Sequence, residues 1–231
     1  SIVLIILLSG LRLVRIITGT LWPQASDRRF LIIEIPSILG IMRSNKIEEY
    51  KKSLSLTNEQ REIIVGKILG DGHLETMNGG KTYRLKIEQS AYQKDYVYWM
   101  YEIFKSWIHQ EPKLKIKTKK DKQFFSYWFN TYASGKLRFY GQQFYQNGKK
   151  VMPKIIKKLL TSRVLAVWFM DDGSFKSNRH RTYIIHAIGY KKRELLLVVK
   201  VFKEKFGISA SLHRQFGNKW RIYVNSASAE Q

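Results

Sequence analysis

Two stretches of this chain, about a hundred residues apart, share one arrangement: an apolar, helix-forming run that stops at an aspartate followed by glycine. In the first, Ile63, Ile64, Val65, Ile68 and Leu69 lead into Gly70-Asp71-Gly72, and in the second Val164 to Met170 lead into Asp171-Asp172-Gly173. Runs this apolar must be buried, so both helices belong inside the molecule. The aspartates fit badly where they stand, because the C-terminal end of a helix is already the negative end of its dipole. That mismatch costs roughly 0.3–1 kcal/mol per carboxylate and calls for a cation. Packed side by side, the two helices bring both carboxylates to one end and sharpen the repulsion. One Asp-Gly is an ordinary turn dipeptide. Two in matched contexts point to a repeated pattern and to two hard oxygen donors, which suit Mg²⁺ or Ca²⁺ completed by water and phosphate oxygens.

The flanking sequence repeats as well. Thr57 and Gln60 have the spacing of a helix capping box ahead of the first apolar run. After Gly72, His73–Met77 and Tyr83–Gln89 read as a hairpin about Asn78-Gly79-Gly80. Lys94–Ile108 reads as an amphipathic helix, Lys113–Lys119 and Gln123–Ala133 as strands, and Leu137–Gln146 as a short helix. In the second half Lys154–Leu160 is a basic, apolar prelude, and Thr161 or Ser162 caps a helix over Val164–Asp171. His180–Gly189 reads as a strand, Lys191–Phe206 as a helix, and Ala210–Phe216 with Trp220–Val224 as a hairpin about Gly217-Asn218. Helix, strand, strand, helix, strand, strand thus occurs twice.

Lys113–Lys119 is the clearest strand. Lys113, Lys115, Lys117 and Lys119 fall on one face, and Leu114, Ile116 and Thr118 on the other. Arg84, Lys86 and Glu88 are set against Leu85 and Ile87 in the same way, and Lys219, Arg221 and Tyr223 against Trp220, Ile222 and Val224. Lysine rows guard soluble sheet edges, yet the whole chain supports a stronger reading. Its 41 Lys+Arg against 18 Asp+Glu give a formal net charge of +23, while 44% of its residues are hydrophobic. A folded protein so basic repels itself unless it meets a polyanion, and nucleic acid is the first partner to expect. The absence of cysteine excludes disulfide scaffolds, thiolate metal sites and a cysteine nucleophile.

Residues 1–50 differ from the rest, with only six Lys/Arg and three aromatics. Ile2–Leu8 is apolar, but Gly10, Arg12 and Arg15 interrupt it short of the ~18–20 residues of a spanning helix. It also lacks the basic start and small-residue cleavage site of a signal peptide. We expect a poorly ordered leader or flanking-sequence extension over 1–50, a first half over 51–153 and a second over 154–231. No stable membrane association is expected.

Ile64-Val65-Gly66-Lys67-Ile68-Leu69-Gly70-Asp71-Gly72 and Leu165-Ala166-Val167-Trp168-Phe169-Met170-Asp171-Asp172-Gly173 both resemble the signature of the LAGLIDADG homing endonucleases. The likeness extends over about residues 51–225 and is greatest to single-chain, two-motif, intron-encoded members. It implies an α+β fold of two pseudo-symmetric αββαββα-type halves. Saddle-shaped antiparallel sheets would lie in the DNA major groove, and the signature helices would pack centrally. It further implies a monomeric, site-specific double-strand DNA endonuclease that hydrolyses phosphodiester bonds with Mg²⁺, for which Mn²⁺ can substitute. Asp71 and Asp172 would hold metal, with added ligation from the backbone carbonyls of Gly70 and Asp171. A lysine near the end of each half lies by the metals in this family, and its position after the fourth strand makes Lys136 the candidate. Arg84, Lys86, Glu88, Lys113, Lys115, Lys117, Lys119, Lys219 and Arg221 would contact DNA. The resemblance also suggests an intracellular setting, organellar (chloroplast or mitochondrion) or bacterial.

The chain departs from the pattern in three places. Gly70 replaces the acidic or small residue often found before the aspartate. Val167 stands where the first signature has Gly66, so the helices should not approach symmetrically there. The sequence opens with Ser1 and stops after the last strand, where the family continues into a closing helix with a partner lysine. A truncated second half, with Trp220, Ile222 and Val224 incompletely covered, is the expectation. The alternative function is an RNA-binding maturase that helps its own intron fold on the same basic sheets.

Overall fold

The computed structural model describes residues 4–6, 15–17, 38–176 and 182–228, with side chains from Asn45 onward. The chain forms two units, Ser1–Ser53 and Leu54–Gln231. In the first, β1 (Leu4–Ile6) pairs antiparallel with β2 (Arg15–Ile17), and α1 spans Ile38–Ser53. The expected leader lies largely outside the described residues. Within them, α1 runs through the expected boundary at residue 51, and Leu54 opens the second unit.

In the second unit, α2 (Asn58–Leu69) starts at the capping box: Gln60 N–H donates to Thr57 Oγ1 at 3.1 Å and Thr57 N–H to Gln60 Oε1 at 3.0 Å. There follow β3 (His73–Glu75), β4 (Arg84–Ser90), α3 (Lys94–Phe104), β5 (Lys113–Lys119), β6 (Lys122–Asn130) and α4 (Arg138–Phe144). A short hairpin of β7 (Tyr145–Gln146) and β8 (Lys149–Lys150) and the turn-long α5 (Ile156–Leu159) lead into α6 (Ser162–Asp172), capped by Thr161. Then come β9 (Gly173–Phe175), β10 (Tyr183–Ile185), α7 (Lys192–Phe206), β11 (Ala210–Phe216) and β12 (Lys219–Val224).

The duplication is real. One sheet runs β3-β4-β6-β5 and the other β9-β10-β12-β11, so each strand holds the same place in its own sheet, and every pairing is antiparallel. β5 has its expected bounds. It is joined to β6 by Lys120 and Asp121 at φ 47° and 59°, the left-handed pair of a two-residue hairpin turn. Its register places Lys113 opposite Trp128, Lys115 opposite Ser126 and Lys117 opposite Phe124, while Glu88 also faces Trp128. Lys86, Glu88 and the four lysines of β5 therefore share one face. The other face packs on α3, with Tyr98 and Tyr101 edge-on to Tyr127 and Phe129. Beyond that cover Leu114 and Ile116 stay exposed at 49% and 55%.

Some elements are shorter than their patterns suggest. The helix from Lys94 ends at Phe104 and tightens into a 3₁₀ turn over Lys105–Trp107. The strand read over His180–Gly189 is only Tyr183–Ile185, and residues 177–181 lie outside the described ones. The expectation of an uncovered second sheet is corrected for Ile222 and Val224, which are buried, since α7 packs on β11 and β12 with Leu195, Val198, Val201 and Phe202 inside; Trp220 is half-buried.

The two halves meet along α2 and α6. Gly66 and Val167 solve the packing together: a Cβ on Gly66 would stand 2.6 Å from Val167 Cβ and 2.9 Å from the Val164 carbonyl oxygen. One turn on, a Cβ on Gly70 would meet Asp171 Cβ at 2.5 Å. The glycines lie on one helix and the side chains that fill their places on the other.

Candidate active site and nucleic-acid interface

The packing of α2 on α6 delivers Asp71 and Asp172 to the same end of the crossing. Asp172 is the last residue of α6, and its Oδ2 accepts a 3.1 Å hydrogen bond from Trp168 Nε1 one turn back. Burial, then the charge of Asp71, push its carboxyl up to about 7, with Trp168 and Lys150 opposing. The crowding anticipated from two helix ends is therefore present and lacks full compensation.

Asp171 is wholly enclosed. Its Oδ1 accepts from Lys67 Nζ at 2.6 Å, also enclosed, and from Gln89 Nε2 at 3.0 Å, while its Oδ2 accepts from the Asp71 amide at 3.0 Å. Burial raises its pKa, and the Lys67 ammonium works against that rise. Gln89 also reaches Asp71 Oδ2 at 3.3 Å. Gly70, expected to offer its carbonyl, offers it to Lys150 Nζ at 2.6 Å, and the same ammonium takes the Gly72 carbonyl at 2.7 Å. Tyr190 OH donates to the Leu69 carbonyl at 3.1 Å. Burial pulls the Lys150 amine down to about 8, although Asp172, Asp71 and Asp171 all favour its charge.

The lysine at the paired aspartates is thus Lys150 rather than Lys136. Lys136 sits at a 3₁₀ turn and gives its amine to the Leu54 carbonyl, away from this cluster. Counting strands led to Lys136 because the β7–β8 hairpin was not read. Its signal was there: Asn147-Gly148, at φ 51° and 72°, is a strong two-residue hairpin turn, and Lys150 lies just past it. Gln89 and Lys67 were also missed, Gln89 as one polar residue on the apolar side of β4 and Lys67 as a charge inside a helix that must be buried.

Among the described residues no group of three or more His, Cys, Asp and Glu side chains could hold a metal ion. The donors here are two carboxylates, so a hard divalent cation would find only part of its six or more oxygens on the protein. Phosphate and water would supply the rest. The residues fit a metal that binds together with a phosphodiester.

The sheet faces carry the expected cations, many of them held in place. Glu75 accepts from Arg84 Nε at 2.8 Å and Lys86 Nζ at 3.2 Å. Glu88 accepts from Lys115 at 2.9 Å and Ser126 at 3.0 Å and pairs with Lys117 at 3.3 Å. Burial would raise the Glu88 pKa, but these donors outweigh it and hold it near 2. Lys113 and Lys119 point to solvent. On the second sheet Lys219 lies over Phe216 at 4.5 Å, and the Arg221 Nε is enclosed without a hydrogen-bond partner. Pattern reading missed the plate beside them, where His213 stacks on Tyr223 at 4.5 Å and Lys176 covers that ring at 5.0 Å.

Comparison with known proteins places the fold in a family. Residues 61–231 match the LAGLIDADG DNA endonuclease family. A probable intron-encoded endonuclease of Wickerhamomyces canadensis is 28% identical over 208 residues, covering 86% of this chain and 88% of its own. A cytochrome b mRNA maturase of Saccharomyces cerevisiae is 32% identical over 149 residues, covering 54% of this chain and 35% of its own. The solved structure of the homing endonuclease I-WcaI bound to its DNA recognition sequence superposes with a TM-score of 0.73 at 26% identity, covering 78% of this chain and 82% of that one.

Proposed function

This chain belongs to the LAGLIDADG DNA endonuclease family, and we propose the residues that carry its chemistry. It is a site-specific DNA endonuclease that hydrolyses phosphodiester bonds. The observation that carries the assignment of roles is the meeting of Asp71 and Asp172 at one end of the helix crossing, where burial and the charge of Asp71 both disfavour the ionised Asp172.

Asp71 and Asp172 would hold divalent metal, for which Mg²⁺ is the physiological candidate and Mn²⁺ a substitute. A bound metal would supply Lewis-acid chemistry, polarising the scissile phosphate and acidifying the attacking water. The protein's own groups do the positioning. Trp168 fixes the Asp172 carboxylate, and Gln89 and Asp171 fix Asp71. Lys150, held by the Gly70 and Gly72 carbonyls beside the aspartates, would stabilise charge that builds on the phosphate and leaving oxygen, and its amine, lowered by burial to about 8, would let it donate a proton. Arg84, Lys86, Lys113, Lys115, Lys117, Lys119, Lys219 and Arg221 would hold the backbone and read base edges, and Glu88 sets the direction of its lysines. A single chain with both motifs supplies both halves of the site, so we propose a monomer. We propose an organellar setting, and no helix among the described residues is long and apolar enough to cross a membrane.

The test is Asp71→Asn and Asp172→Asn. Each should keep DNA binding and lose cleavage in Mg²⁺ or Mn²⁺, and wild-type cutting of both strands by either variant would remove the role. A second reading, binding of the chain's own intron RNA, is favoured by one observation. Lys154, Lys157, Lys158, Lys192, Arg193, Lys200, Lys203 and Lys205 are exposed on and around α5 and α7, the side of the second half away from its polar sheet face. Charge there serves no purpose for a duplex lying on the sheets.

A further inference from the structure

The two metal-facing aspartates are held by different means, and the difference follows the halves. Asp172 is fixed from within its own helix, by Trp168. Asp71 is fixed in part from the opposite half: its amide donates to Asp171 Oδ2 at 3.0 Å, and its carboxylate shares with Asp171 the side-chain amide of Gln89, from its own half. Pseudo-symmetry shows that none of this is duplicated. The counterpart of Lys67 is Trp168 and that of Asp171 is Gly70. Gln89 lies three residues past Lys86, which pairs with His73; the same step past Ile184, which pairs with Ser174, is Ala187. Lys67 and Gln89 of the first half correspond to an indole and an alanine in the second, and Asp171 of the second half to a glycine in the first.

The Lys67–Asp171 pair is costly where it stands, since both side chains are 0% exposed and burying two charges rarely yields net stability. A hydrophobic pair would serve the packing at least as well. We propose that Lys67 and Asp171 form a latch between the halves that positions Asp71 and not Asp172, so that one strand's cleavage depends on the pair and the other's does not. This rests on the assignment of the aspartates given above. Asp171 is then a positioning residue: three donors occupy its oxygens, and it acts through the Asp71 amide. Lys67 holds its rotamer from beneath, braced over the Tyr96 ring at 5.1 Å.

The double variant Lys67→Met/Asp171→Ala removes both charges without stranding either. Two readouts test the latch. In ¹⁵N-resolved amide exchange of the free protein, the Asp71 amide should exchange at least tenfold faster than in wild type, while the Trp168 indole N–H stays protected. On a supercoiled plasmid carrying a duplex selected for cutting by the wild-type protein, with each strand end-labelled, one strand should be nicked at least tenfold more slowly and the other within twofold of wild type. Affinity without divalent metal and the melting temperature should hold. Asp171→Asn, which keeps an acceptor for the Asp71 amide, should recover part of the lost rate on that strand. Equal slowing of both strands, slowing of neither, or unchanged Asp71 exchange overturns the latch. A wild-type protein that cuts no selected duplex overturns the endonuclease reading instead, and the exchange experiment still decides the latch.

Discussion

Gly66→Ala probes the helix crossing on which the site depends. The added methyl would stand 2.6 Å from Val167 Cβ, 2.7 Å from Val167 Cγ1 and 2.9 Å from the Val164 carbonyl oxygen. Carbon pairs settle near 3.5–4.0 Å, and a backbone carbonyl cannot swing aside, so the helices must part by about 1 Å. Overpacking of this kind costs ~1–3 kcal/mol, while replacing a helical glycine by alanine returns ~1 kcal/mol. The net loss of about 1 kcal/mol lowers the melting temperature by about 3 °C in a body of this size. The functional loss should be larger, because Asp71 lies little more than a turn beyond Gly66. A 1 Å misplacement at a catalytic group costs on the order of 10²-fold in rate. Thermal melts and single-turnover cleavage measure the two effects separately. Adding Val167→Gly should restore part of the rate while leaving the melt low, since it removes both Val167 contacts but not the one with the Val164 carbonyl, at the expense of a second helical glycine. Wild-type cleavage by Gly66→Ala with an unchanged melt would refute the close approach of α2 and α6.

Other outcomes follow from the side chains around the site. Lys150→Gln should lower cleavage by on the order of 10²-fold with DNA affinity nearly unchanged, whereas Lys136→Gln should leave the rate within about threefold; both come from the same plasmid assay. Glu88→Gln releases Lys115 and Lys117, so binding to non-specific duplex should tighten and its salt slope steepen by about one to two phosphates, read from titrations at several salt concentrations. The folded-state pKa of Glu88 is depressed, so the stability it contributes is complete above the ordinary value of 4.5 and is lost as pH falls toward about 2. Solvent screening reduces that contribution to about 1 kcal/mol. Urea melts of wild type and Glu88→Gln should therefore differ at pH 7 and converge near pH 2.

The features legible in advance were those with a period or a cap. Alternation fixed β5 residue for residue, because successive strand side chains cannot share a face, and the Thr57–Gln60 box placed the start of α2. The repeated Asp-Gly helix ends marked the site, since a carboxylate at a helix C-terminus needs a reason. The hairpin before Lys150 is legible in Asn147-Gly148, but that it brings Lys150 to the aspartates, and that register brings Gln89 there, is not. Val167 against Gly66 in an aligned repeat reads only as a break in symmetry. The two positions oppose each other across the crossing, a relation that exists only once the helices have packed. Tertiary cover could not be read from strand patterns either: Ile222 and Val224 are closed over by α7.

The account stands on the paired aspartates, and one measurement reaches them directly. Wild type and Asp172→Asn are each incubated with a plasmid library of random duplex inserts in Mg²⁺ or Mn²⁺, and linearised plasmids are sequenced across the break. The account predicts that wild type linearises the library at one recurrent sequence, and that Asp172→Asn still binds that sequence and leaves it intact. Linear product at the same sequence and rate from Asp172→Asn, or a tightly bound sequence that wild type never cuts in either metal, would contradict it.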